Sequence, residues 1–252
     1  MANPPEYLTS LFTSYAAEPA ETRPFVTLTF AQSLDGKIAG AGGKQLPLSG
    51  PESMLMTHWL RTLHDGILVG SGTALNDNPQ LNTRLLPPAP ADAPDRNPRP
   101  IIIDSRLRLP PTCKLLNNYK AGTGRQPWVV SSEPSQRDAE WEARRDALTA
   151  AGARVLLLPE HSSAARIPAL LTLLRAEGIR TLMVEGGAAV ISAFGACATT
   201  CVNTILITTA PRLVGAAGVG YEMPEQDDEH GFHTVETRLV GRDSVVALRR
   251  DA

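Results

Sequence analysis

The sequence predicts an α/β protein whose sheet is parallel at its centre. Three observations carry that expectation. Short apolar runs bounded by Gly, Pro and Asp alternate with stretches of helical period. Several of those runs are apolar throughout, as strands covered on both faces are. The chain has 252 residues, 42% of them hydrophobic and 20% charged, which suits one sizeable globular domain.

The elements follow in order. Residues 24–32, PFVTLTFAQ, are β-branched and read as a strand. Residues 51–65 read as a helix opened by Ser49, Gly50 and Pro51. A compact unit comes next: an apolar strand over 66–70, a tight Gly70-Ser71-Gly72 turn, and a helical start over 73–76 that Asn78-Pro79 stops. Residues 86–100 are proline-rich and read as a surface loop. Strands are then expected at 101–103, 127–132, 153–159 and 179–187, separated by helical patterns at 136–150 and 164–177. A helix after Gly187, a further strand within 202–215, and two alternating runs around Gly241-Arg242-Asp243 complete the chain, the last pair reading as an antiparallel hairpin. The acidic cluster Glu225, Asp227, Asp228 and Glu229 reads as a solvated loop.

Charge and motif content exclude several function classes. Lys plus Arg number 24 and Asp plus Glu 26, a net charge of −2, which gives no electrostatic footprint for nucleic acid or a membrane surface. No window holds the 18 unbroken apolar residues of a membrane helix, and the first 24 residues lack the basic and apolar regions of a leader, so the cytosol is the expected compartment. Cys113, Cys197 and Cys201 have no CxxC spacing and the five His no ligand spacing, so reduced thiols and no metal site are expected. GxSxG and HExxH are absent, which leaves hydrolase readings without support.

Two segments place glycines between an apolar strand and a helix start: Val69 to Thr73 and Glu185 to Ala189. Each is either a phosphate cradle, with free N–H groups at a helix N-terminus, or a plain tight turn; two in one chain favour a nucleotide cofactor. Glu185 ends its strand at the carboxyl edge of the sheet, where open α/β sheets place ligands, so it is a general acid, a substrate anchor or a helix-capping acid. Asp77 and Asp104 have similar positions. Arg61, Arg84 and Arg212 lie near these turns in sequence and suit phosphate, although surface charges read the same way.

The strings at 26–39 (VTLTFAQSLDGKIA), 64–84 (HDGILVGSGTALNDNPQLNTR), 99–105 (RPIIIDS), 182–191 (LMVEGGAAVI) and 210–215 (APRLVG) resemble the riboflavin-biosynthesis reductase family in order and spacing. The resemblance covers nearly the whole chain from Pro24 and is closest to the stand-alone fungal and archaeal form. It implies a dihydrofolate-reductase-like α/β fold, with a mixed, mostly parallel sheet, in a single domain over 24–252 after an extension of 23 residues. It also implies a homodimer using NADPH to reduce a ribosylaminopyrimidine phosphate to the ribityl form. By position, it implies that Thr73, Asp77 and Ser105 contact the cofactor. Gly186, Gly187, Ala188, Ala189, Val190 and Ile191 would bind the cofactor phosphates, and Arg61, Leu81, Arg84 and Glu185 would hold the substrate. Glu185 and then Asp77 are the candidates for acid chemistry.

Bacterial relatives commonly carry Lys where this chain has Thr29, a contact that Lys37 could replace, and Ser and Trp near Lys44-Gln45-Leu46. They are also usually fused to a zinc deaminase with HxE and PCxxC motifs, for which the N-terminal stretch here has no room. The substrate alternative is the deaminated uracil compound, and the alternative of another class is a non-catalytic nucleotide-binding regulator.

Overall fold

The computed structural model describes residues 3–12, 22–88, 95–132, 139–159, 166–225 and 231–250. Nine strands form one sheet: β1 (Phe25–Ser33), β2 (Gly66–Gly70), β3 (Arg99–Ile103), β4 (Trp128–Ser132), β5 (Arg154–Leu158), β6 (Thr181–Glu185), β7 (Thr204–Ala210), β8 (Phe232–Val240) and β9 (Asp243–Arg250). Their order is β5-β4-β3-β2-β6-β1-β7-β9-β8. The seven strands from β5 to β7 run parallel, and β9 and β8 add an antiparallel hairpin at one edge. The predicted architecture is therefore the observed one.

Helices cover both faces. α1 (Glu6–Ser10), α2 (Pro51–Arg61), α3 (Ser71–Asp77), α4 (Lys114–Lys120) and α5 (Ala139–Ala150) lie on one side; α6 (Arg166–Ala176), α7 (Ala188–Gly195) and α8 (Ala198–Cys201) lie on the other. Strand alternation divides the core between them. Ile67 and Val69 of β2 pack with Trp59, Leu116 and Leu148, while Leu68 packs with Leu171, Leu174 and Phe194. Every residue of β2 is buried, which explains its unbroken apolar run.

Several details differ from the sequence expectation. The helix expected over 51–65, α2, ends at Arg61 rather than running to Asp65, whose carboxylate turns back to accept the N–H groups of Arg180 and Thr181 at the start of β6. The turn after Gly70 opens directly into helix, so α3 begins at Ser71. α1 and α4 had no clear period in the sequence. Within the stretch read as an extension, Leu8 and Leu11 of the α1 region are buried in the core with Met56 and Trp59. The expected helix starts at 136–138 and 164–165, the middle of the proline-rich loop (89–94) and most of the acidic cluster (227–229) lie outside the described residues. Cys113, Cys197 and Cys201 are free thiols. Among the described residues, no helix is long and apolar enough to cross a membrane.

His64 joins β1 to α2. Its Nδ1–H donates to the Leu60 carbonyl at 2.8 Å, so Nε2 accepts the Thr27 hydroxyl at 2.8 Å. Burial pushes its pKa down to about 4. A folded pKa below the unfolded value of 6.5 means that stability is complete above pH 6.5 and falls as pH drops toward 4. The full loss is about 3 kcal/mol for this one group. Urea unfolding at pH 7.5 and 4.5 should show most of that loss in the wild type and a smaller one in His64→Gln; equal losses in both would show that His64 does not carry it.

Candidate functional site

β2 and β6 are hydrogen-bonded neighbours, with Leu68 opposite Val184, yet their helices leave in opposite directions. α3 follows β2 onto the face holding Ala74, and α7 follows β6 onto the face holding Ile191 and Phe194. Adjacent strands that part in this way open a crevice at their carboxyl ends. The two turns are in contact across it. A methyl on Gly70 would meet Val190 Cγ2 at 2.7 Å and one on Gly187 would meet the Thr73 hydroxyl at 2.9 Å, both across the crevice; within the second turn, one on Gly186 would meet Val190 Cβ at 2.6 Å. Such distances are below van der Waals contact, so these positions hold no side chain. The first N–H groups of α3 and α7 lack helical partners and carry partial positive charge.

The crevice is a cleft of about 1190 Å³, larger than one small ligand needs and fit for two side by side. Its walls come from the carboxyl ends of β1 to β6 and from the 38–49 segment.

At the centre, Arg61 from α2 and Glu185 from the end of β6 form a bidentate pair: Nε to Oε1 at 3.0 Å and Nη2 to Oε2 at 2.8 Å. Their side chains are 8% and 20% exposed. The remaining guanidinium arm, Nη1, donates to the Asn82 carbonyl at 2.9 Å, and the Asn82 side-chain oxygen accepts from Arg84 at 3.3 Å. One loop thus links both arginines. Among the described residues Arg84 has no carboxylate partner of its own; burial and the Arg61 charge pull its pKa down, with Glu185 acting the other way. His58 beneath them is pushed down to about 3 by burial and by both arginines, so it is neutral near pH 7. The corner therefore holds a cationic surplus suited to a phosphate. Asp77, at the end of α3, has a pKa raised by desolvation, so it keeps a proton more readily than a free carboxyl.

The structure brings together Thr73, Asp77, Ser105, Gly186, Gly187, Ala188, Ala189, Val190, Arg61, Leu81, Arg84 and Glu185, all on the cleft wall. Ile191 is a correction. Its side chain is fully buried in the core under α7 and its N–H is bonded to the Gly187 carbonyl, so it presents nothing to the cleft. Asp104 also faces inward, its carboxylate accepting the N–H groups of Arg108 and Leu109. Thr29 lines the cleft opposite Glu185 on the neighbouring strand, whereas Lys37 packs beside Gly218 and Gly220 and does not replace a residue there. Of the 44–46 segment, Gln45 and Leu46 reach the cleft and Lys44 does not. Leu81 adopts φ +51°, a left-handed turn that costs about 1 kcal/mol and is held by its buried side chain.

Two residues were not singled out from sequence. Asn82 lies in a quoted motif but gains its role from a backbone carbonyl, which no residue type announces. Asp35 accepts Ser33 Oγ at 2.6 Å, Val214 N–H at 3.0 Å and Gly215 N–H at 2.7 Å, which holds its carboxyl well below the usual range. It ties the end of β1 to the loop after β7, and so explains why the motifs at 26–39 and 210–215 occur together.

Comparison with known proteins shows the family and the fold. The RibD C-terminal domain family matches residues 24–246. The 2,5-diamino-6-ribosylamino-4(3H)-pyrimidinone 5′-phosphate reductase of Debaryomyces hansenii is 36% identical over 220 residues, 81% of this chain and 82% of its own. The enzyme of that name from Methanothermobacter thermautotrophicus is 34% identical over 232 residues, 89% of this chain and 97% of its own. Among solved structures, the riboflavin biosynthesis reductase of Saccharomyces cerevisiae superposes with a TM-score of 0.72 at 31% identity, covering 98% of this chain and all of the other.

Arg61→Lys keeps the charge but loses the planar fork, so it cannot hold Glu185 and the Asn82 carbonyl together. We expect a loss of about 1–3 kcal/mol in unfolding free energy and faster amide exchange over residues 80–86; unchanged exchange there would show that Arg61 does not hold the loop.

Proposed function

The chain belongs to the RibD C-terminal domain family, and from that premise we propose that it is the NADPH-dependent reductase of 2,5-diamino-6-ribosylamino-4(3H)-pyrimidinone 5′-phosphate. The observation that carries the substrate is the shared name of relatives that match four-fifths or more of both chains, in a yeast and in an archaeon. The reading includes a cytosolic homodimer, as the family resemblance implies.

The cleft fits a dinucleotide, because its glycine turns exclude side chains from the place where a pyrophosphate would meet two helix N-termini. Gly186, Gly187 and the N–H groups of Ala188 and Ala189 would hold the phosphates, with the Thr73 hydroxyl beside them; the Val190 N–H is already bonded to the Gly187 carbonyl, so Val190 contributes only its side chain to the wall. When bound, the nicotinamide supplies the hydride. Arg84 binds the substrate phosphate, and the Asn82 loop fixes it relative to Arg61. Opening of the ribosyl ring exposes an imine at C1′, and reduction adds a hydride to that carbon and a proton to the nitrogen. Glu185 already satisfies Arg61 with both oxygens, yet a carboxylate keeps further lone pairs, so it accepts a ribose hydroxyl and orients C1′. Asp77, with its raised pKa, is the group better placed to hold a proton.

The test of the substrate is NADPH oxidation with the diaminopyrimidinone ribosyl phosphate and its deaminated uracil analogue offered in parallel. A strong preference for the diamino compound is expected. Preference for the uracil compound would move the chain to the other order of steps, and no oxidation with either would leave only nucleotide binding. Two variants separate the roles. Arg84→Ala should raise substrate KM about tenfold with kcat little changed, as loss of one charge-assisted contact on an exposed arm does. Glu185→Gln should lower kcat by about 10²-fold, and wild-type turnover in that variant would remove Glu185 from the reaction.

A further inference from the structure

The charged residues of the cleft wall are Arg61, Asp77, Arg84, Lys114, Arg166 and Glu185. Arg61 and Glu185 neutralise one another, and Arg84 is drawn into their corner through Asn82. Arg166 belongs to the opposite end. It is the first residue of α6, exposed, with no ion-pair or hydrogen-bond partner among the described residues, and it lines the cleft with Ile167, Leu170 and Leu158. Between β6 and β5 lie four strand spacings, roughly 19 Å, so the Arg166 end is remote from Glu185 by about the length of an extended dinucleotide.

The hydroxyls at this end are unequal. Ser131 Oγ is committed to the carbonyls of Ser105 and Ser132, at 3.0 and 3.2 Å. The hydroxyls of Ser105 and Ser132, on the same cleft wall, have no partner among the described residues. An acidic side chain at such a strand end would accept a ribose 2′-hydroxyl and repel a phosphate, whereas an arginine accommodates a 2′-phosphate. Asp104 stands at the end of β3 but spends its carboxylate on backbone N–H groups in the interior. No acid among the described residues faces this end.

We infer that Arg166, assisted by the Ser105 and Ser132 hydroxyls, forms the subsite for the 2′-phosphate of the adenosine ribose and sets the preference for NADPH over NADH. Leu158, Ile167 and Leu170 supply the apolar wall against which the base lies. The inference rests on the cofactor reading above and goes beyond it by naming the residues that discriminate.

The experiment is calorimetric titration with 2′,5′-ADP and with 5′-ADP, which requires no turnover. Wild-type protein should bind 2′,5′-ADP at least tenfold more tightly. Arg166→Gln, an exposed change, should bring the two affinities within about twofold by weakening 2′,5′-ADP alone, and Ser132→Ala should reduce the ratio less. A wild-type preference that survives Arg166→Gln would overturn the subsite and leave the cofactor reading standing. Equal wild-type affinities would overturn the cofactor reading and the subsite with it.

Discussion

The contact between the two glycine turns, where Gly70 meets Val190 and Gly187 meets Thr73, positions the walls of the cleft. β2 and β6 lie side by side in the sheet, and their helices depart to opposite faces, so the two turns must pass within touching distance. Val190 and the Thr73 hydroxyl fill the space that side chains at 70, 186 and 187 would need. The contact brings the starts of two helices together at one edge of the sheet, and a helix start carries N–H groups without partners in the helix. Everything else in the cleft is measured from that point: the apolar end at β4 and β5 on one side, and the arginine corner on the other.

The Arg61–Glu185 pair is the second fixed element, and its value is positional. A largely desolvated ion pair gains little net free energy over apolar packing, since the cost of removing both charges from water offsets their attraction. Its geometry is what the site uses. The planar guanidinium holds the carboxylate with two donors and has one more for the Asn82 carbonyl, so a single residue on α2 sets the position of the acid on β6 and of the loop carrying Arg84. Neutral His58 below adds no third charge to this corner. An anion entering there meets uncompensated positive charge that is already oriented.

Much of the fold was legible because its signals are local. The apolar runs that became β2, β3 and β6 announce burial on both faces, and Gly70 and Gly187 mark strand-to-helix turns by residue type alone. The order of the strands was not legible. That β6 inserts between β2 and β1 follows from long-range pairing, and with it comes the contact of Gly70 with Val190. α1 escaped because a five-residue helix has no period to read; its place in the core is decided by Leu8 and Leu11 meeting Met56 and Trp59. The cleft residues were largely found through motif resemblance. Ile191 was the exception, since a motif does not say which of five successive residues at a helix start turns inward, and here the helix period turns that one into the core.

If the interlocked turns form the proposed cofactor cradle, a double-mutant cycle between Gly70→Ala and Val190→Ala, read as the dissociation constant of NADPH, exposes the coupling between them. Gly70 has φ −82°, which alanine adopts without backbone strain, so any effect of its methyl comes from the neighbour it meets. Gly70→Ala alone should weaken NADPH binding, and Val190→Ala should restore much of the loss when the two are combined. Gly70→Ala binding NADPH as tightly as the wild type, or a loss that Val190→Ala does not relieve, would contradict that coupling.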